Sequence, residues 1–423
     1  MHEHETSPSA PSPAGSISRR LFLGNMAASA ASASILGADA ALAADQPAPA
    51  SKPIQRKIKL GLIGCGGRGN WITNFFKKHG GYEIHAVADY FQEPADQFGN
   101  AHGVNKSRRF SGLSGYKRLL ESGVEAVAIE DVPYFYPEEA KAAVEAGIHV
   151  YMAKPIATDV PGCLMVEAAG KLATQKKLAF VVDYQLPTEP ANIEVANRIR
   201  AGALGRLAHI LSYGICWQAW PDPPLGPNIE SRLRNEIWLS DIALGGDNIV
   251  SYDIHIVDGV TWVMGRRPAA ACGRSRICRP NPHGDRSDCS GTVFEYDDGV
   301  IWTHVTQSIN NQSDLTTLCA SFYGAAATGH IAYGGKVFVR GGAKHYVGTI
   351  GSVFDQGVVH NVADFYSAVT EGHFENPSVK RAVDGTLAAI LGREASARGR
   401  YLTMEELIKE NKKLPANLTG MKT

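Results

Sequence analysis

Lys57-Ile58-Lys59-Leu60-Gly61-Leu62-Ile63-Gly64-Cys65-Gly66-Gly67-Arg68-Gly69 is the stretch whose reading decides the fold. Leu60, Leu62 and Ile63 form a short apolar strand. Gly64, Gly66 and Gly69 follow on the G-x-G-x-x-G spacing, with a helix-capable run from Asn70 to Lys78 behind them. Glycine serves three purposes in such a strand-turn-helix: a turn without a Cβ clash, backbone approach to a pyrophosphate, and close helix-to-strand contact. Amides at the helix start then face an anion. Gly64, Cys65, Gly66, Gly67, Arg68 and Gly69 are therefore the expected dinucleotide cradle.

Working outward, Glu83 to Asp89 reads as a second strand that ends in a carboxylate 20 residues after Gly69. An acid there accepts hydrogen bonds from the adenosine ribose and repels a 2′-phosphate. Tyr90, Phe91 and Gln92 follow with no Arg or Lys among them, so NAD is expected rather than NADP. A helix over Tyr116 to Glu121 leads to an apolar strand at Val124 to Ile129. Pro137 then opens a helix over Glu138 to Ala146, acidic in its first turn and stopped by Gly147. Ile148 to Met152 is the next strand, ending at Ala153-Lys154-Pro155, and Leu178 to Tyr184 another. This alternation predicts an α/β fold with a parallel, doubly wound sheet over 57–184.

The chain of 423 residues suggests two or three domains at roughly 150 residues each, and 44% hydrophobic residues are enough for buried cores. Lys plus Arg equals Asp plus Glu at 42 each, so no global field favours nucleic acid or an anionic membrane. A small neutral ligand fits better. Ser18-Arg19-Arg20-Leu21-Phe22-Leu23 precedes an Ala- and Ser-rich run closing on Ala41-Leu42-Ala43-Ala44, which reads as a twin-arginine export signal over 1–44, with 45–56 a linker. Export, cleavage and no permanent membrane anchor are the expectations. Seven cysteines contain no C-x-x-C pair, so no metal site is indicated; Cys278 with Cys289 can close a loop.

Together the glycine turn, the spaced acid and the strand ending in Lys154-Pro155 resemble the Gfo/Idh/MocA family of sugar and cyclitol oxidoreductases. The family's Glu-Lys-Pro is here Ala153-Lys154-Pro155. Gly245 to Asp258, with the sequence GGDNIVSYDIHIVD, resembles the helix carrying the family's histidine, with Ser251 where relatives often have Asp. Asn361 to Tyr366 and Ile390 to Ala395 resemble its C-terminal segments. The resemblance covers nearly all of 57–405. It implies a second α+β domain over 185–423, built on an open, mainly antiparallel sheet whose outer face forms a homodimer or homotetramer. Leu207 to Trp217, Ala269 to Cys278, Gly291 to Asp297 and Val300 to Ser308 read as its strands, with a hairpin turn at Asp298-Gly299.

By resemblance Lys154 lies between nicotinamide and sugar, hydrogen-bonding the reacting hydroxyl. His255 is the expected general base. A helix over Asp247 to Met264 would put Ser251, His255, Asp258 and Trp262 on one face, where Asp258 could orient the imidazole. Tyr252 offers a phenol for proton relay, and Asp253 stands nearby. Gln185 is expected to face the substrate, and Trp217 and Trp220 to stack on a sugar or to pack in the core. An exported protein has no free nicotinamide pool, so tightly bound NAD restored within each cycle is expected. Two reactions meet that condition: saccharide oxidoreduction, or glycoside cleavage through transient ring oxidation, elimination and re-reduction. A cofactor-binding sensor without catalysis is the third reading.

Overall fold

The structure, a computed structural model, describes residues 54–216, 222–309, 317–351 and 353–423. The twin-arginine stretch, Trp217 and Trp220 lie outside the described residues. Both sheets below belong to one unit, 47–423.

The first sheet consists of β1 (Ile58–Ile63), β2 (Tyr82–Asp89), β3 (Arg109–Ser111), β4 (Ala126–Ile129), β5 (His149–Met152) and β6 (Phe180–Val182). Its order is β3-β2-β1-β4-β5-β6 and every pairing is parallel. Helices of six residues or more are numbered in chain order. α1 (Gly67–His79), α2 (Gln92–His102), α3 (Gly115–Leu120), α4 (Tyr136–Glu145) and α5 (Val160–Gln175) connect the strands. All four β4 residues are buried, as a strand covered by helices on both faces requires. α4 carries Pro137, Glu138 and Glu139 in its first turn, and Gly147 behind it takes φ +80.

After α6 (Pro190–Arg200) the second sheet begins. Its strands are β7 (Leu207–Cys216), β8 (Ala270–Arg276), β9 (Cys289–Glu295), β10 (Ile301–Ser308), β11 (Thr317–Gly324), β12 (Thr328–Ala332), β13 (Gly335–Arg340), β14 (Tyr346–Ile350) and β15 (Leu402–Thr403). Their order is β14-β13-β12-β11-β7-β10-β9-β8-β15, antiparallel except where β10 runs parallel to β7. Gly299, at φ +81, turns the β9–β10 hairpin. Along β10 burial alternates: Trp302, His304, Thr306 and Ser308 point inward, while Ile301 and Val305 are exposed. Val293 on the neighbouring β9 and Tyr323 on β11, one strand beyond β7, are exposed apolar residues of the same sheet. Cys278 and Cys289 stand as free thiols with their sulfurs 3.7 Å apart.

α7 (Ile254–Met264), α8 (Val353–Glu371), α9 (Pro377–Arg398) and α10 (Met404–Glu410) complete the fold. α9 joins the two halves: it packs on α5 and β6 of the first and on α7, β8 and β9 of the second, so nearly its whole length is buried. The continuous helix expected from Asp247 to Met264 does not form. A short helical turn (Asn248–Ser251) stops at Tyr252, and α7 restarts at Ile254. Asp247, at φ +81, begins this segment, and His255 N–H bonds the Tyr252 carbonyl instead of that of Ser251.

Candidate active site

The glycine turn sits at the carboxyl edge of the parallel sheet. Gly64 takes φ +92, and a Cβ there would lie 2.6 Å from the Asp131 nitrogen. A Cβ on Gly69 would overlap the Gly64 carbonyl oxygen, whereas nothing lies within 4 Å of one on Gly66 or Gly67. The two outer glycines are required by packing, and the two inner ones leave backbone open at the start of α1. That open backbone is a cradle a diphosphate can approach.

Asp89 ends β2 with both oxygens engaged: Oδ2 accepts from Cys65 N–H at 2.9 Å and Oδ1 from Phe91 N–H at 2.9 Å. Burial raises its pKa, opposed by those two amides and by Arg234. The acid thus holds the glycine turn in place. Cys65 contributes its backbone; its thiol is buried against the Ala88 carbonyl, and burial pushes its pKa up. Beside Asp89, Arg234 lies over the Phe91 ring at 3.8 Å and 3.6 Å from Glu93. The absence of a cation after Asp89 therefore holds along the sequence but not in space.

A 290 Å³ chamber opens beside this turn, lined by Asp89, Tyr90, Asp131, Gly162, Lys413 and Leu418 among others. Burial, reinforced by Asp89, pushes the Asp131 carboxyl up to about 7. The cradle, the acid and the chamber together fit the adenosine side of a dinucleotide.

Arg68 turns away from the cradle. Its guanidinium pairs with Asp183 at 2.5 Å and with Glu130 at 2.8 Å, and stacks over Trp71 at 5.1 Å. The side chain, expected among the cofactor-binding residues, here neutralises carboxylates at the ends of β4 and β6. Glu130 meets the cation without a hydrogen-bond angle, and burial lifts it to about 7 against the pull of Arg68. Asp183 also accepts from Gln185 Nε2 at 2.9 Å and from Asn361 Nδ2 at 2.8 Å. Gln185 is fully buried, and its Oε1 has no partner among the described residues.

Lys154, at the end of β5, donates to the Ser251 carbonyl at 2.8 Å. That carbonyl is available because the helix breaks at Tyr252. Burial, then Arg68, lowers the lysine to about 7, while Asp183, Glu236 and Asp253 pull the other way. His255 is buried, its Nδ1 2.8 Å from Tyr333 Oη and its ring edge-on to Tyr333 and Phe354. Burial, then the Lys154 and Arg68 cations, hold it well below its ordinary pKa, so the imidazole is neutral. Tyr252 lies with its ring 6.3 Å from that of His255, and burial pushes its phenol pKa up.

Two expected helpers act elsewhere. Asp258 Oδ1 accepts from Arg381 Nε at 3.1 Å on α9, and burial raises it to about 6; the imidazole meets Tyr333 instead. The helix break separates Ser251 from α7, whereas Asp258 remains on α7 with His255 and turns to Arg381 on α9. Asp253 is buried and accepts from His304 Nε2 at 2.9 Å and Thr306 Oγ1 at 2.5 Å. His304 continues through Ser212 to Trp302, so Asp253 anchors the segment bearing His255 to the second sheet. A Cβ on Gly214 would overlap this carboxylate, which is why that strand position is glycine.

Glu130, Asp183, Asn361 and Tyr333 belong to the site and were not assigned roles from sequence. Acids at the carboxyl ends of parallel strands were a usable signal for the first two. Tyr333 carries no signal, because it follows β12, far along the chain from His255.

The model of the Gfo/Idh/MocA family, described as an oxidoreductase family with an NAD-binding Rossmann fold, matches residues 58–184. A glycosyl hydrolase family 109 protein of Streptomyces coelicolor is 28% identical over 160 residues, 34% of this chain and 34% of that protein. Myo-inositol dehydrogenase Hyg17 of Streptomyces leeuwenhoekii is 29% identical over 150 residues, 35% and 39% of the two chains. The chain thus spans little more than a third of either relative's length. In shape it matches levoglucosan dehydrogenase in complex with NADH at TM-score 0.67 and 17% identity, over 82% of this chain and 99% of that one. At that identity the likeness shows the fold.

Proposed function

We propose that this chain, whose residues 58–184 are a Gfo/Idh/MocA-type NAD-binding domain, is an exported oxidoreductase acting on a saccharide or cyclitol hydroxyl with tightly held NAD. The observation that carries the reading is the placement of Lys154 at the carboxyl edge of the sheet, bonded to the Ser251 carbonyl four residues before the buried His255. The Lys154 and Arg68 cations, with burial, disfavour a proton on His255, so lysine and imidazole are not both cationic near neutrality. The pair therefore accepts one proton from a bound hydroxyl. Lys154 Nζ then donates to the oxygen left behind, and Arg68 holds Glu130 and Asp183 beneath it. Bound nicotinamide supplies the two-electron acceptor. Asp89 favours NAD, and the exposed apolar face of Val293, Ile301, Val305 and Tyr323 supports a homo-oligomer.

A second reading is favoured by the glycosyl hydrolase relatives: the same ring oxidation is transient, elimination expels the aglycone, and no net redox product appears. Incubating purified protein, without added cofactor, with a nitrophenyl glycoside panel separates the two. Nitrophenol without redox product selects cleavage, and paired lactone and polyol select oxidoreduction. Neither product, with ligand binding intact in Lys154→Ala, selects a sensor and overturns both.

A further inference from the structure

After α10 the chain turns at Asn411, in the left-handed region at φ 42, and runs to Thr423 without helix or strand. It is nonetheless pinned along its length. Leu414 N–H donates to Asp159 Oδ2 at 2.9 Å, beside the α5 start. Asn417 accepts from Ile229 N–H at 3.1 Å through its carbonyl and donates to the Pro227 carbonyl at 2.9 Å. Lys422 accepts from Leu113 N–H at 2.9 Å and donates its own N–H to Tyr90 Oη at 3.2 Å. Met421 is buried.

The anchors define a path. Asp159 follows β5, whereas Tyr90 and Leu113 follow β2 and β3, and in the sheet order β1 and β4 lie between them. Crossing from β5 to β3 takes four strand spacings, about 19 Å at ~4.8 Å each. Leu414 to Lys422 spans at most about 27 Å when extended. The segment is thus long enough to cross the carboxyl edge, with little slack. Lys413 and Leu418 line the chamber opposite Asp89 and Asp131, which places the segment over the crevice where ligands enter such sheets.

We infer that residues 412–423 form the outer wall of the adenosine half of the dinucleotide site, and that the nucleotide enters or leaves only when this strap lifts. The inference rests on the reading of the chamber as a nucleotide site. It gives retention a physical basis: main-chain bonds from three separate loops must open together before exchange.

The test compares the full chain with one ending at Asn411. NADH is bound, then displaced by excess NAD while nicotinamide fluorescence is followed, and folding is checked by circular dichroism. Release from the truncated protein is expected to be on the order of 100-fold faster, which corresponds to about two tenfold steps in affinity. Asn417→Ala, which removes a pin outside the chamber, is expected to give a smaller acceleration in the same direction, and it decides the matter if the truncated chain does not fold. Equal release rates overturn the strap while leaving the nucleotide site standing. A full chain that neither carries nor binds NADH overturns both.

Discussion

The two ends of the cleft handle buried acid in opposite ways. Beneath Lys154, Glu130 and Asp183 are countered by Arg68 at 2.8 and 2.5 Å, and Asp183 is further held by Gln185 and Asn361. In the adenosine chamber, Asp131 Oδ1 accepts from the neighbouring Val132 N–H at 2.7 Å, and Asp89 adds repulsion. One end is charge-balanced by the protein itself. The other is left acidic near neutrality and is shut off by the C-terminal segment. The difference teaches that the proposed chemistry and the proposed retention would be separable, each resting on its own set of side chains.

Four experiments break or sharpen that contrast, the largest effect first. Lys154→Ala is expected to lower kcat by about 10³-fold while NADH affinity stays within several-fold, since proton handling contributes about 10²–10⁴; an equal loss of NADH binding in a fluorescence titration would erase the distinction. Arg68→Met leaves two buried carboxylates uncompensated, so urea unfolding should show a loss of about 3 kcal/mol. Unchanged stability would mean that the acids are balanced by something else.

The third experiment concerns pH. Below about 7 Lys154 is cationic, and a proton placed on His255 would create two adjacent cations; above it the pair is free to accept one. The oxidative kcat/KM should therefore rise about tenfold per pH unit up to 7 and then level, since a single proton is at stake. Lys154→Arg, always charged, should lose that limb. The smallest effect is at the chamber. Asp131 ionises as pH rises through about 7, which places a carboxylate beside a diphosphate, so NADH affinity should fall several-fold from pH 6 to pH 8. Asp131→Asn should flatten this dependence in the same titration.

Much of the first half was legible in the sequence. The strand ending at Ile63, the turn at Gly64 and the helix behind it depend on residues a few positions apart, and all three form where the pattern places them. Lys154 likewise sits at the end of a strand whose apolar run marks it. The proton-handling surroundings were less legible. The spacing of Ser251, His255 and Asp258 promised one helical face, but the helix is interrupted at Tyr252, which separates Ser251 and frees its carbonyl for Lys154, while Asp258 pairs with Arg381 on α9. Asp253, which the sequence shows only as standing near His255, is tied to His304 and Thr306 on β10.

What the sequence determined by itself was therefore the doubly wound half, its glycine cradle and the acid at Asp89, because φ preferences, strand alternation and helix punctuation act over neighbouring residues. What only the tertiary structure decided was which charges meet. Arg68 finds Asp183 across 115 positions, His255 finds Tyr333 across 78, and Tyr90 finds the strap at Lys422 across 332. Such pairings follow from how the sheets and α9 bring distant segments together, and burial then sets the pKa values that give Lys154 and His255 their chemistry.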